Sequence, residues 1–272
     1  MKKFEGILFA TDLDGTLLRK DKTISPENKE AISYFMEEGG IFTFITGRIP
    51  MGAAPILNQF TPNAPFGCIN GGGIYDHRTE EMLWFLPLDK SVIELVKTVD
   101  ESIPQMGIEV NLADKIYFCK KSRSTEKHRT DEKFPDLTCH YTEVTEPIAK
   151  ILFAGDEEYM EPVANLLQSH PRANEFDFIR SDKEYYEILP KGATKGNLLL
   201  HLAELLHMDP ARTIAAGDND NDVSLLEMAG LGFAVSNASP AAKAAANHIT
   251  VSNEEHAIRK IIEDLDAGIY QI

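Results

Sequence analysis

The sequence predicts an α/β fold in which a parallel sheet carries a second, α+β domain inserted between its two halves. Three observations lead there. The apolar run Ile7-Leu8-Phe9-Ala10 stops at Asp12-Leu13-Asp14-Gly15, and a run that short reads as a strand buried on both faces rather than a helix. An amphipathic helix then links it to a second apolar strand, making a βαβ unit and hence parallel pairing. From about Phe85 to about Tyr185 this alternation is lost, and strands and helices follow in the irregular order of a separate α+β domain.

Taken in order, the first strand covers 6–12. Ser25 and Pro26 supply an N-cap and a first-turn proline, Ala31, Ile32, Phe35 and Met36 form the apolar stripe, and Gly39-Gly40 stop the helix. A strand over 41–46 runs into Thr46-Gly47-Arg48, and Asn70-Gly71-Gly72-Gly73 close the first half. The insertion is expected to hold a helix over 89–101, alternating segments at 108–111 and 116–120, and a polar stretch over 122–136. A strand at 148–154, a helix at 157–168 and strands near 176–180 and 185–189 complete it. Lys191-Gly192-Ala193-Thr194-Lys195-Gly196 then open an amphipathic helix, and Thr213–Gly217 is another short apolar strand. It leads into Asp218-Asn219-Asp220-Asn221-Asp222, with Val223, Leu225, Leu226 and Met228 in a short helix ended by Gly230. The expected boundaries are 1–85 and 186–272 for the core and 86–185 for the insertion.

The chemistry gathers where strands end. Residues i and i+2 of a strand share a side, so Asp12 and Asp14 face one crevice if the extended path continues, at the edge where open parallel sheets bind ligands. Two carboxylates ~4 Å apart repel by about 4 kcal/mol at an effective dielectric of 20, which calls for a cation, a shared proton or different roles. Asp-Leu-Asp-Gly read alone could also be simply a turn. A second acidic cluster after a second strand, a hydroxyl at the strand end of Thr46 and a lysine at the helix start of Lys195 favour phosphate chemistry instead.

In this order, Asp12-Leu13-Asp14-Gly15-Thr16-Leu17, Thr46-Gly47-Arg48, Lys195-Gly196 and Gly217-Asp218-Asn219-Asp220-Asn221-Asp222 resemble the four signature motifs of the haloacid dehalogenase superfamily, in the forms of its Cof-type phosphatase branch. Asn70-Gly71 and Asn253-Glu254-Glu255 match that branch as well. The resemblance implies a Rossmann-like three-layer core with an inserted α+β cap, and Mg²⁺-dependent hydrolysis of small phosphomonoesters, sugar phosphates or phosphorylated cofactors, through an aspartyl-phosphate. It implies Asp12 as nucleophile, Asp14 as general acid and Lys195 as the cation beside them. Leu13, Thr46, Gly47, Arg48, Lys195 and Asn221 would hold phosphate or substrate, with Leu13 and Gly47 acting through backbone amides. Asp12, the Asp14 carbonyl and Asp218 would hold Mg²⁺, with Asp222 orienting Lys195. Arg48 is as suited to a structural carboxylate as to substrate, and Asn70 either faces the substrate or caps its glycine turn. A phosphomutase of the phosphomannomutase type and a non-catalytic phosphometabolite sensor are the alternatives; intact Asp12, Asp14, Lys195 and Asp218 weigh against the sensor. After Asn253-Glu254-Glu255 the branch runs Asp-Gly-Val where this chain has His256-Ala257-Ile258, a departure that bears on substrate preference.

Composition narrows the class. The chain has 272 residues, 27 Lys and Arg against 43 Asp and Glu, and a formal charge of −16. That disfavours nucleic acid and anionic membranes as partners; the global field would also repel the small phosphorylated metabolite that the resemblance implies, so Lys195, Arg48 and a bound metal must reverse the sign inside the site. Three cysteines with no Cys-x-x-Cys pair suit a reduced cytoplasm, and the N-terminal apolar run is too short for a signal-peptide core. A monomer or weak homodimer is expected. The eight histidines show no metal-ligand spacing. Asp220 reads as a solvated turn acid, Trp84-Phe85 as packing, and Lys120-Lys121-Ser122-Arg123 as a solvated loop.

Overall fold

Four- and five-residue strands with no polar face need cover on both sides, and the computed structural model, which describes residues 2–272, supplies it. In chain order, β1 (Leu8–Thr11), α1 (Pro26–Glu37), β2 (Ile41–Phe44) and α2 (Pro50–Leu57) are followed by β3 (Phe66–Cys68), β4 (Gly73–Asp76) and β5 (Glu81–Phe85). Next come α3 (Val92–Ser102), β6 (Gly107–Asn111), β7 (Ile116–Lys120), α4 (Arg123–Asp131), β8 (Lys150–Ala154), α5 (Met160–Ser169), β9 (Phe176–Asp182) and β10 (Tyr185–Pro190). The chain ends with α6 (Lys195–Leu205), β11 (Thr213–Gly217), α7 (Val223–Met228), β12 (Leu231–Ala234), α8 (Pro240–Ala245), β13 (His248–Ile249) and α9 (Ala257–Asp266).

Two units emerge. One holds residues up to Gly47, Ala53–Trp84 and Thr194–Ile272; the other holds Arg48–Gly52 and Phe85–Ala193. In the first, a parallel sheet runs β13-β12-β11-β1-β2. Its faces follow the period of two. Leu8 and Ala10 pack with Leu198, Leu199 and Leu202 of α6 and Leu225 and Leu226 of α7. Phe9, pointing the other way, meets Phe35 of α1 edge-on at 6.0 Å and Phe42 at 5.4 Å. These are the three layers. Ser25 caps α1 by accepting from Asn28 N–H at 3.2 Å. The small sheet β3-β4-β5 was not legible in the sequence, because its strands of three to five residues are separated by glycines and exposed turns.

The second unit is an antiparallel sheet, β7-β6-β8-β10-β9. Ile108, Val110, Ile151, Phe153, Tyr186 and Ile188 pack on Val92, Leu95, Val96 and Val99 of α3 and Val163 and Leu167 of α5. On the opposite face alternation brings in buried charge. Lys150 Nζ lies 2.9 Å from Glu187 Oε2, and His128 Nδ1 of α4 lies 2.9 Å from a Glu109 oxygen. The polar stretch 122–136 therefore folds into α4, started by Ser122, whose Oγ accepts from Thr125 N–H at 3.1 Å. The charges of the expected loop are all paired: Lys120 with Asp100, Lys121 with Asp136, and Arg123 with Asp156 and Glu184. A boundary at 185/186 would cut β10, which pairs with both β8 and β9; the unit's contacts run on to Ala193.

Leu198 is fully buried in the first unit's core, and truncation removes its transfer free energy and leaves a cavity. Leu198→Ala is expected to cost about 2–5 kcal/mol of stability. Urea denaturation measures it, and a loss below about 1 kcal/mol would mean that this face is not tightly packed.

Candidate active site

Register fixes the site's place. Thr11 of β1 pairs with Ala216 on one side and Phe44 on the other. One step further lies Asp12, whose N–H donates to Ala216 O at 2.8 Å. Thr46 stands two residues beyond Phe44, and Asp218 directly follows the end of β11. Three neighbouring strands thus release Asp12, Thr46 and Asp218 at their carboxyl ends, the edge where such sheets bind ligands. Thr194 caps α6 by accepting from Asn197 N–H at 3.1 Å, so Lys195 is that helix's first residue.

The centre is a largely buried ion cluster. Lys195, 1% exposed, donates from Nζ to Asp12 Oδ1 at 2.6 Å and to Asp222 Oδ1 at 2.5 Å. Asp222 Oδ2 accepts the Asp218 and Asn219 amides at 2.9 and 3.0 Å, so both of its oxygens are engaged. Asp218 Oδ1 accepts from Thr16 Oγ1 at 3.0 Å. Gly15, at φ +87°, leaves room for this carboxylate: a Cβ there would sit 2.3 Å from Asp218 Oδ2. Burial, with Asp222 and Asp218 nearby, pushes the Asp12 carboxyl well up against the pull of Lys195. Asp218 is pushed up to about 7 by burial and the Asp222 charge. Burial opposes charge on Lys195, but Asp12 and Asp222 together raise it above the ordinary lysine value.

Three carboxylates face one ammonium, and that imbalance fits a divalent cation. Asp12, Asp218 and Asp222 each bring an oxygen within 4.8 Å of the others, a hard-oxygen donor set of the kind Mg²⁺ takes together with water. Asp222 enters this cluster although it was expected only to orient Lys195. With both its oxygens occupied, Asp12 and Asp218 are the better-placed ligands.

The remaining expected residues have other partners. The Asp14 side chain, half-exposed, lies 2.6 Å from Lys22 Nζ. Arg48 belongs to the second unit, where it pairs with Glu132 at the end of α4 and donates to Gly52 O. Leu13 is buried, and its carbonyl accepts from Leu18 N–H at 2.8 Å. Thr46 is buried, its N–H donating to Gly67 O at 3.0 Å, and Gly47 lies against the Asn70 side chain. Asn221 Nδ2 donates to Asn70 Oδ1 at 3.0 Å. Asp220 accepts from Ser239 Oγ at 2.7 Å, and Trp84 stacks on His201 at 4.8 Å. The Asn253-Glu254-Glu255 segment anchors the loop after Asp14: Asn253 Nδ2 donates to Leu18 O, and Glu254 accepts Lys20 N–H, both at 2.8 Å. His256, at φ +63°, turns its ring to Ser25 Oγ, 3.0 Å away at the start of α1. Sequence reasoning missed Thr16 and Lys22. Thr16 already stood within the first motif, whereas nothing in the spacing distinguishes Lys22 from a surface lysine.

A family model described as haloacid dehalogenase-like hydrolase matches residues 9–262. The chain belongs to this family. Its relatives place it in the Cof-type branch. Two Bacillus subtilis proteins, each named 5-amino-6-(5-phospho-D-ribitylamino)uracil phosphatase, are 29% and 27% identical to it. The alignments cover 94% and 96% of this chain and 96% and 98% of theirs. The crystal structure of a haloacid dehalogenase-like hydrolase from Bacteroides thetaiotaomicron superposes with a TM-score of 0.84 at 28% identity, covering 96% of this chain and 100% of that one. No helix among the described residues is long and apolar enough to cross a membrane.

Removing the ammonium from this family member should expose the cost of the cluster. Lys195→Met leaves Asp12 and Asp222 buried without their partner, and a loss of about 3–5 kcal/mol is expected. Chemical denaturation in chelator measures it; a loss under about 1 kcal/mol would mean that the carboxylates are balanced from elsewhere.

Proposed function

We propose that the chain is a Mg²⁺-dependent phosphatase of small phosphomonoesters that works through an aspartyl-phosphate on Asp12. The observation that carries this reading is the buried Lys195 held between Asp12 and Asp222 beside Asp218, because it gives one carboxylate a fixed direction and a fixed charge partner at the ligand-binding edge of the sheet. Asp12 and Asp218 would hold the cation, which when bound would neutralise phosphate charge.

Asp12 Oδ attacks phosphorus while the bond from phosphorus to the alcohol oxygen breaks, and Asp14 delivers its proton to the departing alkoxide. Water then attacks the phosphoenzyme, Asp14 takes the water proton, and the Asp12 carboxylate leaves as inorganic phosphate forms. Asp14 must carry a proton in the first step and lack one in the second; its side chain lies 2.6 Å from Lys22 Nζ. Lys195, Thr46, Asn221 and the amides near Leu13 and Gly47 hold the phosphate oxygens, and such positioning supplies most of phosphoryl-transfer catalysis.

The names of the two Bacillus subtilis relatives support a phosphorylated sugar-alcohol chain as the kind of substrate to test first. We assign substrate selection to the second unit as a cap, and a cytoplasmic setting to the enzyme. Phosphate release from a panel of sugar, sugar-alcohol and cofactor phosphates decides the class, and release from none would overturn it. Asp12→Asn should lower kcat by about a thousandfold or more, equivalent to about 4 kcal/mol, since an amide cannot attack. Retention of about a tenth of wild-type turnover would rule out Asp12 as nucleophile. Chelation should abolish turnover and Mg²⁺ restore it, with Mg²⁺ at about a hundred times its Kd adding about 2.7 kcal/mol of stability. Full activity after exhaustive chelation would remove the metal from the mechanism.

A further inference from the structure

Three consecutive residues, Ile69, Asn70 and Gly71, have positive φ, at 59°, 52° and 110°. Such backbone is uncommon outside glycine and an outlier for a β-branched residue, so a run of it persists only where its surroundings over-determine it. Here the surroundings are parts of the site. Asn70 N–H donates to Thr46 O at 3.1 Å. Its side-chain amide lies against Gly47 so closely that a Cβ there would be 2.7 Å from Asn70 Oδ1. The same oxygen accepts from Asn221 Nδ2. One residue on, a Cβ at Gly71 would be 2.5 Å from the Thr194 backbone, directly before Lys195. Asn70 is 2% exposed, so these contacts are made in the interior.

We propose that Asn70 is the positioning residue of the phosphate site: it sets the Asn221 amide and the Thr46–Gly47 backbone in place before substrate arrives. The inference rests on the phosphatase reading and deepens it. Donors fixed in advance spend nothing on reorganisation when the phosphate binds. Asparagine meets both demands of the position, since it tolerates the left-handed backbone and offers an acceptor to Asn221. Glycine would satisfy the backbone alone, and alanine neither.

Asn70→Gly separates the two roles. It keeps the backbone and removes the side chain, so the melting temperature should stay within about 4 °C of wild type. KM for p-nitrophenyl phosphate and the competitive Ki of inorganic phosphate should both rise about tenfold or more. In an Asn221→Ala background the same change should cost less than about twofold more, because groups sharing one hydrogen bond act as a unit. A folded Asn70→Gly enzyme with unchanged KM and Ki, or full additivity with Asn221→Ala, would overturn the proposal. If Asn70→Gly does not fold, Asn221→Ala removes the same hydrogen bond from its other side, so Ki should rise about tenfold; an unchanged Ki would overturn it equally. A wild-type enzyme that releases phosphate from no monoester fails at the step before any variant is compared. That result overturns the phosphatase reading, and this inference with it.

Discussion

The site depends on one buried charge arrangement, the Lys195 ammonium between Asp12 and Asp222. Inside a protein an unpaired charge is far more costly than in water, so each member holds the others. Asp222 cannot turn away without abandoning the Asp218 and Asn219 amides as well as the lysine, and Asp12 is tied through its own amide to β11. The cluster therefore locks the start of α6, the end of β1 and the turn after β11 into one geometry. Its charges do not cancel, and the surplus carboxylate at Asp218 is the feature that makes the place attractive to a cation.

Around that cluster the site is built from close backbone approaches. Gly15 lets Asp218 reach the loop after β1, and Gly71 lets a left-handed turn rest on the residue that caps α6. Both glycines act by having no side chain, so their importance is invisible in any inventory of reactive groups. Strain in the turn, about 1–3 kcal/mol for a non-glycine residue held in such a region, is offset by the full burial of Ile69 and by the Asn70 hydrogen bonds.

The second unit solves a different problem. Its sheet has an apolar face for α3 and α5 and an opposite face that carries Glu109, Lys150 and Glu187. Buried ion pairs of this kind add little net stability. A helix of mean polar character, α4, forms because Ser122 and Thr125 cap each other and because His128 and Arg129 find acidic partners. Arg48 joins this unit through Glu132, where the motif alone had left it between substrate and a structural carboxylate.

What the sequence determined by itself was local: which runs are strands, where they end, and that acids, a hydroxyl and a lysine stand at those ends. Strand period and parallel pairing convert that into a fold class and a common edge, since each strand's direction is set by its crossover. Tertiary structure decided the partners. Lys195 meets Asp12 across 183 residues and Asn221 meets Asn70 across 151, separations at which spacing carries no information about contact. The polar stretch after β7 gave no apolar period from which to infer α4, and a three-residue strand such as β3 is too short to show any period at all. Asp14 facing Lys22, Arg48 facing Glu132 and His256 facing Ser25 were each settled by which side chain the folded backbone brings within reach, a matter of packing in three dimensions that one-dimensional order does not encode.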